Sequence, residues 1–299
     1  MVSAAPAPRV GYIGLGNMGA PMARRLVDWS GGLVVCDARP SATEKFAAAG
    51  VAVAASAAEV AARATVISVT VLDDAQVREV LTGDQGILRT ARPGTVVAVH
   101  STIADSTAVE LAQLCRARDV DLVDAPVSGG APGAKQGRLA VMVGGSESAF
   151  AAVQGPFGCW ADLVVHAGPV GAGTRMKLAR NLLHFVSFTA AAEAARLAEH
   201  AGLDVRRLGE VVRHSDAVTG GAGAIMWRET TAALTGDDPW LPIMSHVRDL
   251  GEKDLRLALD LGDRLGTELP LARQGLEHLA AGLGLPHPTR QSTGADDDR

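Results

Sequence analysis

The sequence predicts an α/β fold: a doubly wound parallel sheet followed by an all-helical C-terminal domain, joined to it by a long helix. Three observations predict it. Short β-branched apolar runs alternate with alanine-rich helical stretches up to about residue 168. A glycine-rich turn, G-x-G-x-x-G, directly follows the first run. From residue 174 to 200 a helical pattern continues with neither proline nor internal glycine. Apolar strands alternating with helices indicate a parallel sheet covered on both faces.

The apolar runs fall at 10–13, 33–36, 65–71, 95–99, 120–123, 140–143 and 163–165. After Gly171-Ala172-Gly173 the character changes. The long helix is followed by helical patterns at 205–214, 223–234, 243–265 and 271–283, punctuated by Gly and Pro. We read two domains, 1–168 and 169–299, each long enough for its own core. Residues 286–299, polar and acidic, read as a disordered tail. The start, MVSAAPAPR, reads as a loose leader without the features of a secretory signal. The active site is expected in the cleft between the domains.

Composition excludes several classes. With 47% apolar and 20% charged residues, the 299-residue chain has an ordinary globular composition. A net charge of -5 argues against a nucleic-acid surface and suits small-molecule work. No stretch is long and apolar enough for a membrane span, since 51–71 is interrupted by Glu59 and Arg63. Cys36, Cys115 and Cys159 form no C-x-x-C pair and read as reduced thiols of a cytoplasmic protein. His100, His184 and His214 lack ligand spacing, so no metal is expected; His184 reads as a packed core histidine.

The glycine turn is Gly14-Leu15-Gly16-Asn17-Met18-Gly19. Gly14 permits the tight turn, Gly16 lets backbone approach a pyrophosphate, and Gly19 lets the following helix pack closely on the strand. The helix start supplies free N–H groups. Asp37 closes the second apolar run about 20 residues on, where a carboxylate reaches the adenosine ribose hydroxyls of a dinucleotide. Its charge favours NAD, because it would repel a 2′-phosphate, while Arg39 keeps NADP open. A doubly wound sheet binds beyond the carboxyl ends of its strands, which adds Val71 and Leu72 to the cofactor contacts.

A second constellation lies far downstream. Lys177 and Asn181 stand four residues apart, on one face of the long helix. A lone helical lysine is ordinarily a solvated surface residue; the Gly-Ala-Gly before it and Asn181 after it reverse that reading. An ammonium beside a carbonyl stabilises the charge left by hydride addition and can donate the proton. In the oxidative direction the same lysine, if neutral, removes a hydroxyl proton, which requires a pKa lowered by burial. The N–H groups of Gly129 and Gly130, with the Ser128 hydroxyl, form a carboxylate cradle.

Five segments carry a resemblance: GYIGLGNMGAPMA at 11–23, HST at 100–102, DAPVSGGAPGAKQGRLAVMVGG at 124–145, GAGTRMKLARN at 171–181 and EKDLRLAL at 252–259. Through them the chain resembles the β-hydroxyacid dehydrogenases, which include 3-hydroxyisobutyrate dehydrogenase and tartronate semialdehyde reductase and are related to 6-phosphogluconate dehydrogenase. The resemblance implies a Rossmann domain and a helical domain, and an NAD(P)-dependent oxidoreductase of a short, 3-hydroxyisobutyrate-like acid or its semialdehyde. It implies that Lys177 is the general acid/base, Asn181 its partner, and Ser128-Gly129-Gly130 the carboxylate loop. Thr102 and Lys253 match cofactor contacts. Thr102 also reads as an N-cap for the helix near Asp105, and Lys253-Asp254 as a surface charge pair. A homo-oligomer, dimer or tetramer, is implied through the helical domain.

Two departures stand out. Arg180 replaces the first of two asparagines that relatives carry after the lysine, which bears on substrate charge or a subunit contact. The stretch 215–227, which shapes the pocket in relatives, is rich in glycine and alanine and offers no second anchor. Two other readings remain: an imine reductase of the same architecture, which usually has Asp or Tyr at the lysine position, and a non-catalytic cofactor-sensing module, whose known examples have lost the lysine.

Overall fold

The computed structural model describes residues 7–285; the tail 286–299 and the first six residues of the leader lie outside them. The chain divides into two compact units, the first ending at Asn181 and the second beginning at Leu182.

The first unit is built on nine strands: β1 (Val10–Ile13), β2 (Leu33–Cys36), β3 (Ala52–Val53), β4 (Val66–Val69), β5 (Val96–Val99), β6 (Asp121–Asp124), β7 (Val127–Ser128), β8 (Leu139–Gly144) and β9 (Ala161–Gly168). Seven helices are interleaved with them: α1 (Gly19–Arg24), α2 (Pro40–Ala48), α3 (Ala57–Arg63), α4 (Asp74–Thr82), α5 (Asp105–Arg116), α6 (Gly130–Gln136) and α7 (Glu147–Phe157). The strands lie in the order β3-β2-β1-β4-β5-β6-β8-β7, with β9 beside β8. From β1 the chain winds outward one way through β2 and β3, then returns to β4 and winds the other way. That reversal beside β1 is where a doubly wound sheet opens its ligand crevice.

All residues of β1, β2, β4 and β5 are buried, as expected of strands covered on both faces. One core, with Tyr12, Met22, Phe157 and Trp160, covers one face; the other, with Ile67, Leu81, Ile87 and Leu111, covers the second. The sheet is not wholly parallel. β8 runs antiparallel to both β6 and β7. Pro126, which lacks an N–H, interrupts the chain between β6 and β7. The seven-residue α6 then lets the chain double back as β8. The two-residue strands β3 and β7 were too short for an apolar run to announce.

His100 belongs to this core. It is buried, with Nδ1 2.8 Å from the Ala125 carbonyl and Nε2 3.0 Å from Ser68 Oγ, and its ring stands edge-on to Phe157 and Trp160. Burial pushes its pKa down to about 4, so the imidazole is neutral at physiological pH.

The long helix is α8 (Ala172–His200), and the boundary between the units falls inside it. The second unit continues with α9 (Val205–Thr219), α10 (Leu241–Leu265) and α11 (Pro270–Gly282). The helix expected at 223–234 does not form. Gly220 and Gly221 take positive φ and end α9; a short 3₁₀ turn, Gly221–Gly223, and an irregular segment follow. Trp227 stacks on Trp240 at 5.6 Å within that region. His184 is only half-buried and its ring lies tilted against the exposed Phe188, with centroids 4.3 Å apart, so it is not a core histidine. Glu193 on α8 is buried and accepts from the Leu271 and Ala272 amides, capping α11 from a distance.

Candidate active site

The glycine turn joins β1 to α1. Gly14 has φ +90°, and a Cβ there would collide with the Thr70 carbonyl; a Cβ on Gly19 would strike the Gly14 carbonyl. These two glycines serve the packing of the turn itself. Gly16 does not: its φ is not positive, and nothing lies within 4 Å of the position a Cβ would take. The open side of Gly16 therefore suits a ligand that needs close backbone approach, and the donor set around it fits a dinucleotide pyrophosphate. We expect Gly16→Ala to leave folding stability within about 0.5 kcal/mol while weakening NAD binding by about tenfold or more, some 1.4 kcal/mol. Calorimetric titration with NAD checks it, with Gly19→Ala as the variant that loses stability. Unchanged affinity would remove the turn from the cofactor site.

Asp37 follows β2, and its side chain is only 7% exposed. Its Oδ2 accepts from the Leu15 amide at 2.6 Å and its Oδ1 from the Arg39 amide at 2.8 Å. Removal from water would raise the carboxyl, but these amides and the Arg39 guanidinium more than offset it and hold it below the ordinary carboxylate range. It is an anion tied into the glycine turn. Arg39 is largely exposed, with Nε 3.3 Å from Asp37 Oδ1.

Val71 and Leu72 lie beyond the end of β4, and Thr102 beyond the end of β5; Leu72 and Thr102 are exposed. Ser101 joins the two loops. Its Oγ accepts from the Val71 amide at 3.0 Å and donates to the Val71 carbonyl at 2.7 Å. Thr102 is not the cap of α5: that helix begins after Ala104, without a side-chain cap. The Ala104 amide instead donates to Asp74 Oδ1 at 3.1 Å.

The second constellation forms where the start of α8 meets the ends of β6 and β7. Lys177 is 9% exposed, and its Nζ donates to the Val127 carbonyl at 2.6 Å. The next residue is Ser128, half-buried, followed by the exposed Gly129 and Gly130 with φ of +124° and +63°. Lys177 and the Ser128-Gly129-Gly130 loop are thus brought together, with Asn181 half-buried one turn further along the helix. Removal from water, and secondarily the Arg180 guanidinium, hold the Lys177 ammonium below the ordinary lysine range.

What positions Lys177 is a residue that the motifs did not single out. Asp124, at the end of β6, is buried, and its Oδ1 and Oδ2 accept from the Gly171 and Thr174 amides at 2.7 and 2.6 Å. It is the N-terminal cap of α8, supplied from another element. A signal was available. Residues 169–173 contain no Ser, Thr, Asp or Asn, so the helix start lacks a local cap. Lys253 lies on α10 of the second unit, exposed, with its ammonium 3.1 Å from Asp254. Among the described residues no cluster of His, Cys, Asp and Glu could hold a metal, and no helix is long and apolar enough to cross a membrane.

Known proteins share both regions. Residues 9–168 match the family described as the NAD binding domain of 6-phosphogluconate dehydrogenase. Residues 171–285 match the one described as NAD-binding of NADP-dependent 3-hydroxyisobutyrate dehydrogenase. An uncharacterized oxidoreductase of Mycobacterium tuberculosis is 59% identical over 281 residues, 94% of this chain and 95% of that protein. The mitochondrial 3-hydroxyisobutyrate dehydrogenase of Rattus norvegicus is 38% identical over 274 residues, 90% of this chain and 79% of the rat protein. A crystal structure of a candidate oxidoreductase from Mycobacterium avium 104 superimposes with a TM-score of 0.89 at 55% identity, covering 94% of this chain and all of that one.

Proposed function

The chain belongs to the 3-hydroxyisobutyrate dehydrogenase family, and from that premise we propose that it oxidises a short 3-hydroxy acid to its semialdehyde, reversibly, with Lys177 as the acid/base and NAD as the preferred cofactor. As a member of that family it is an NAD(P)-dependent dehydrogenase. The observation that carries the mechanistic reading is the contact of Lys177 Nζ with the Val127 carbonyl at 2.6 Å, beside Ser128. A lysine drawn out of water and held by a neutral carbonyl, with no carboxylate among the described residues to fix its proton, is suited to proton exchange.

The substrate carboxylate sits on the Ser128 hydroxyl and the Gly129 and Gly130 amides, which puts its hydroxyl within reach of Lys177. The 14–19 turn and Asp37 would hold the cofactor, which would accept a hydride in oxidation and donate one in reduction. Neutral Lys177 takes the hydroxyl proton as the C–H bond gives up its hydride and the C=O bond forms; the ammonium then releases that proton to water. In reduction Lys177 donates it to the developing alkoxide. Asn181 hydrogen-bonds the substrate oxygen and leaves the proton to Lys177. The preference for NAD rests on Asp37, a carboxylate held ionised beside the turn, and on Arg39, which is engaged with that carboxylate.

The test is absorbance at 340 nm with NAD and, separately, NADP against a panel of short 2- and 3-hydroxy acids. NADH formation with 3-hydroxyisobutyrate or a close analogue is expected. Faster turnover with NADP would overturn the cofactor preference. Silence toward every acid, and toward semialdehydes in the reductive direction, would overturn the substrate class.

A further inference from the structure

Lys177 is one of three cations on this stretch of α8, with Arg175 and Arg180. Arg180 follows Lys177 by three residues, so these two side chains leave the helix within about one turn. Arg180 is exposed where Lys177 is buried. Its Nη1 donates to Asn181 Oδ1 at 3.3 Å. That bond occupies the carbonyl of the Asn181 amide and leaves its NH₂ to donate elsewhere. The other arginine at the start of the helix, Arg175, is paired with Asp105 at 2.9 Å. Arg180 forms no ion pair among the described residues. Lys177 likewise meets a carbonyl and not a carboxylate. With Lys177 neutral as the base, the site keeps one guanidinium that no carboxylate among the described residues compensates, and an oxidised nicotinamide would add a second charge of the same sign. One substrate carboxylate leaves that excess uncompensated.

We propose that Arg180 binds a second anionic group, so that the preferred substrate is a dianionic 3-hydroxy acid bearing a carboxylate or phosphate on the far side of its hydroxyl carbon. This rests on the dehydrogenase reading above. The planar guanidinium matches either group through paired N–H donors, which an asparagine at this position cannot offer with charge. Burial orders the two side chains along the substrate: the reacting hydroxyl lies inward at Lys177 and the anionic end outward at Arg180.

The experiment compares kcat/KM of the full chain on 3-hydroxybutyrate, 3-hydroxyglutarate and 4-phospho-3-hydroxybutanoate, in wild type and Arg180→Asn. Wild type is expected to favour at least one dianion by about tenfold or more, and the variant to bring that ratio close to one. The dianion that wins identifies the second group. A ratio unchanged by the substitution overturns the proposal, as does wild-type preference for the monoacid. Should wild type turn over none of the three, the dehydrogenase reading is what has failed. Calorimetric titration with 3-hydroxyglutarate and 4-phospho-3-hydroxybutanoate then decides this inference alone. Binding of either that is weakened about tenfold in Arg180→Asn supports it, and equal affinity or no binding overturns it.

Discussion

Lys177→Ala is expected to lower kcat/KM for the hydroxy acid by about 10²–10⁴-fold, the range that positioned acid–base groups contribute, with the NAD dissociation constant little changed. The loss falls on kcat, because the proton transfer is made only in the transition state. Lys177→Arg is expected to be as damaging, since a guanidinium keeps its charge and cannot act as the base. The pH profile adds a sign. Withdrawal from water and the neighbouring Arg180 both disfavour the ammonium, so the neutral form appears at lower pH than for an ordinary lysine. Oxidation should therefore rise with pH along a limb below the ordinary lysine range, and that limb should vanish in Lys177→Ala. Arg180→Asn removes the repulsion and should move it to higher pH. Loss of the Lys177 bond to Val127 also affects folding, so urea unfolding of the variants is the control. Activity retained in a folded Lys177→Ala protein would discard the mechanism.

Much of this architecture was legible because its causes are local. The apolar runs at 10–13, 33–36 and 95–99 alternate with helical patterns, and all lie in the sheet. The turn at Gly14 was readable because its requirement for positive φ is a property of a few adjacent residues. That Lys177 and Asn181 lie four residues apart on one face of α8 followed from helical spacing alone. What was illegible depends on contacts between distant segments. The antiparallel return of β8 depends on where α6 ends and not on any apolar pattern. The lost helix at 223–234 had apolar residues enough, but clustered glycines made the irregular chain cheaper. Thr102 resembled a cap, yet α5 begins past it. Ser101, bridging two loops 30 residues apart, and Asp124, capping a helix 47 residues downstream, stand inside the 100–102 and 124–145 segments, but nothing in those segments names their partners. Their roles exist only once the sheet brings those ends together.

Asp124→Ala is expected to destabilise the first unit by about 2–5 kcal/mol, because it strands the two buried amides of Gly171 and Thr174, each costing about 1–3 kcal/mol when left unsatisfied. It should also lower kcat, since Lys177 stands one turn beyond the capped residues. Asparagine should not rescue it: one side-chain oxygen can accept, but the NH₂ then faces an N–H donor. The pH dependence separates this residue from ordinary acid denaturation. Removal from water outweighs the two amide bonds and raises the Asp124 carboxyl above the usual range. The folded state thus binds this proton more readily than the unfolded chain, and the group's own contribution grows as pH falls through the raised value. The comparison variant is Arg175→Ala, which removes the exposed pair with Asp105 on the same helix start. A solvent-screened pair of that kind contributes roughly 0–1 kcal/mol. Urea unfolding of both variants at neutral pH, with kcat/KM measured on each, ranks the two anchors. If Arg175→Ala cost as much as Asp124→Ala, or if Asp124→Ala left unfolding midpoint and turnover unchanged, the buried carboxylate would not be what holds Lys177 at the site.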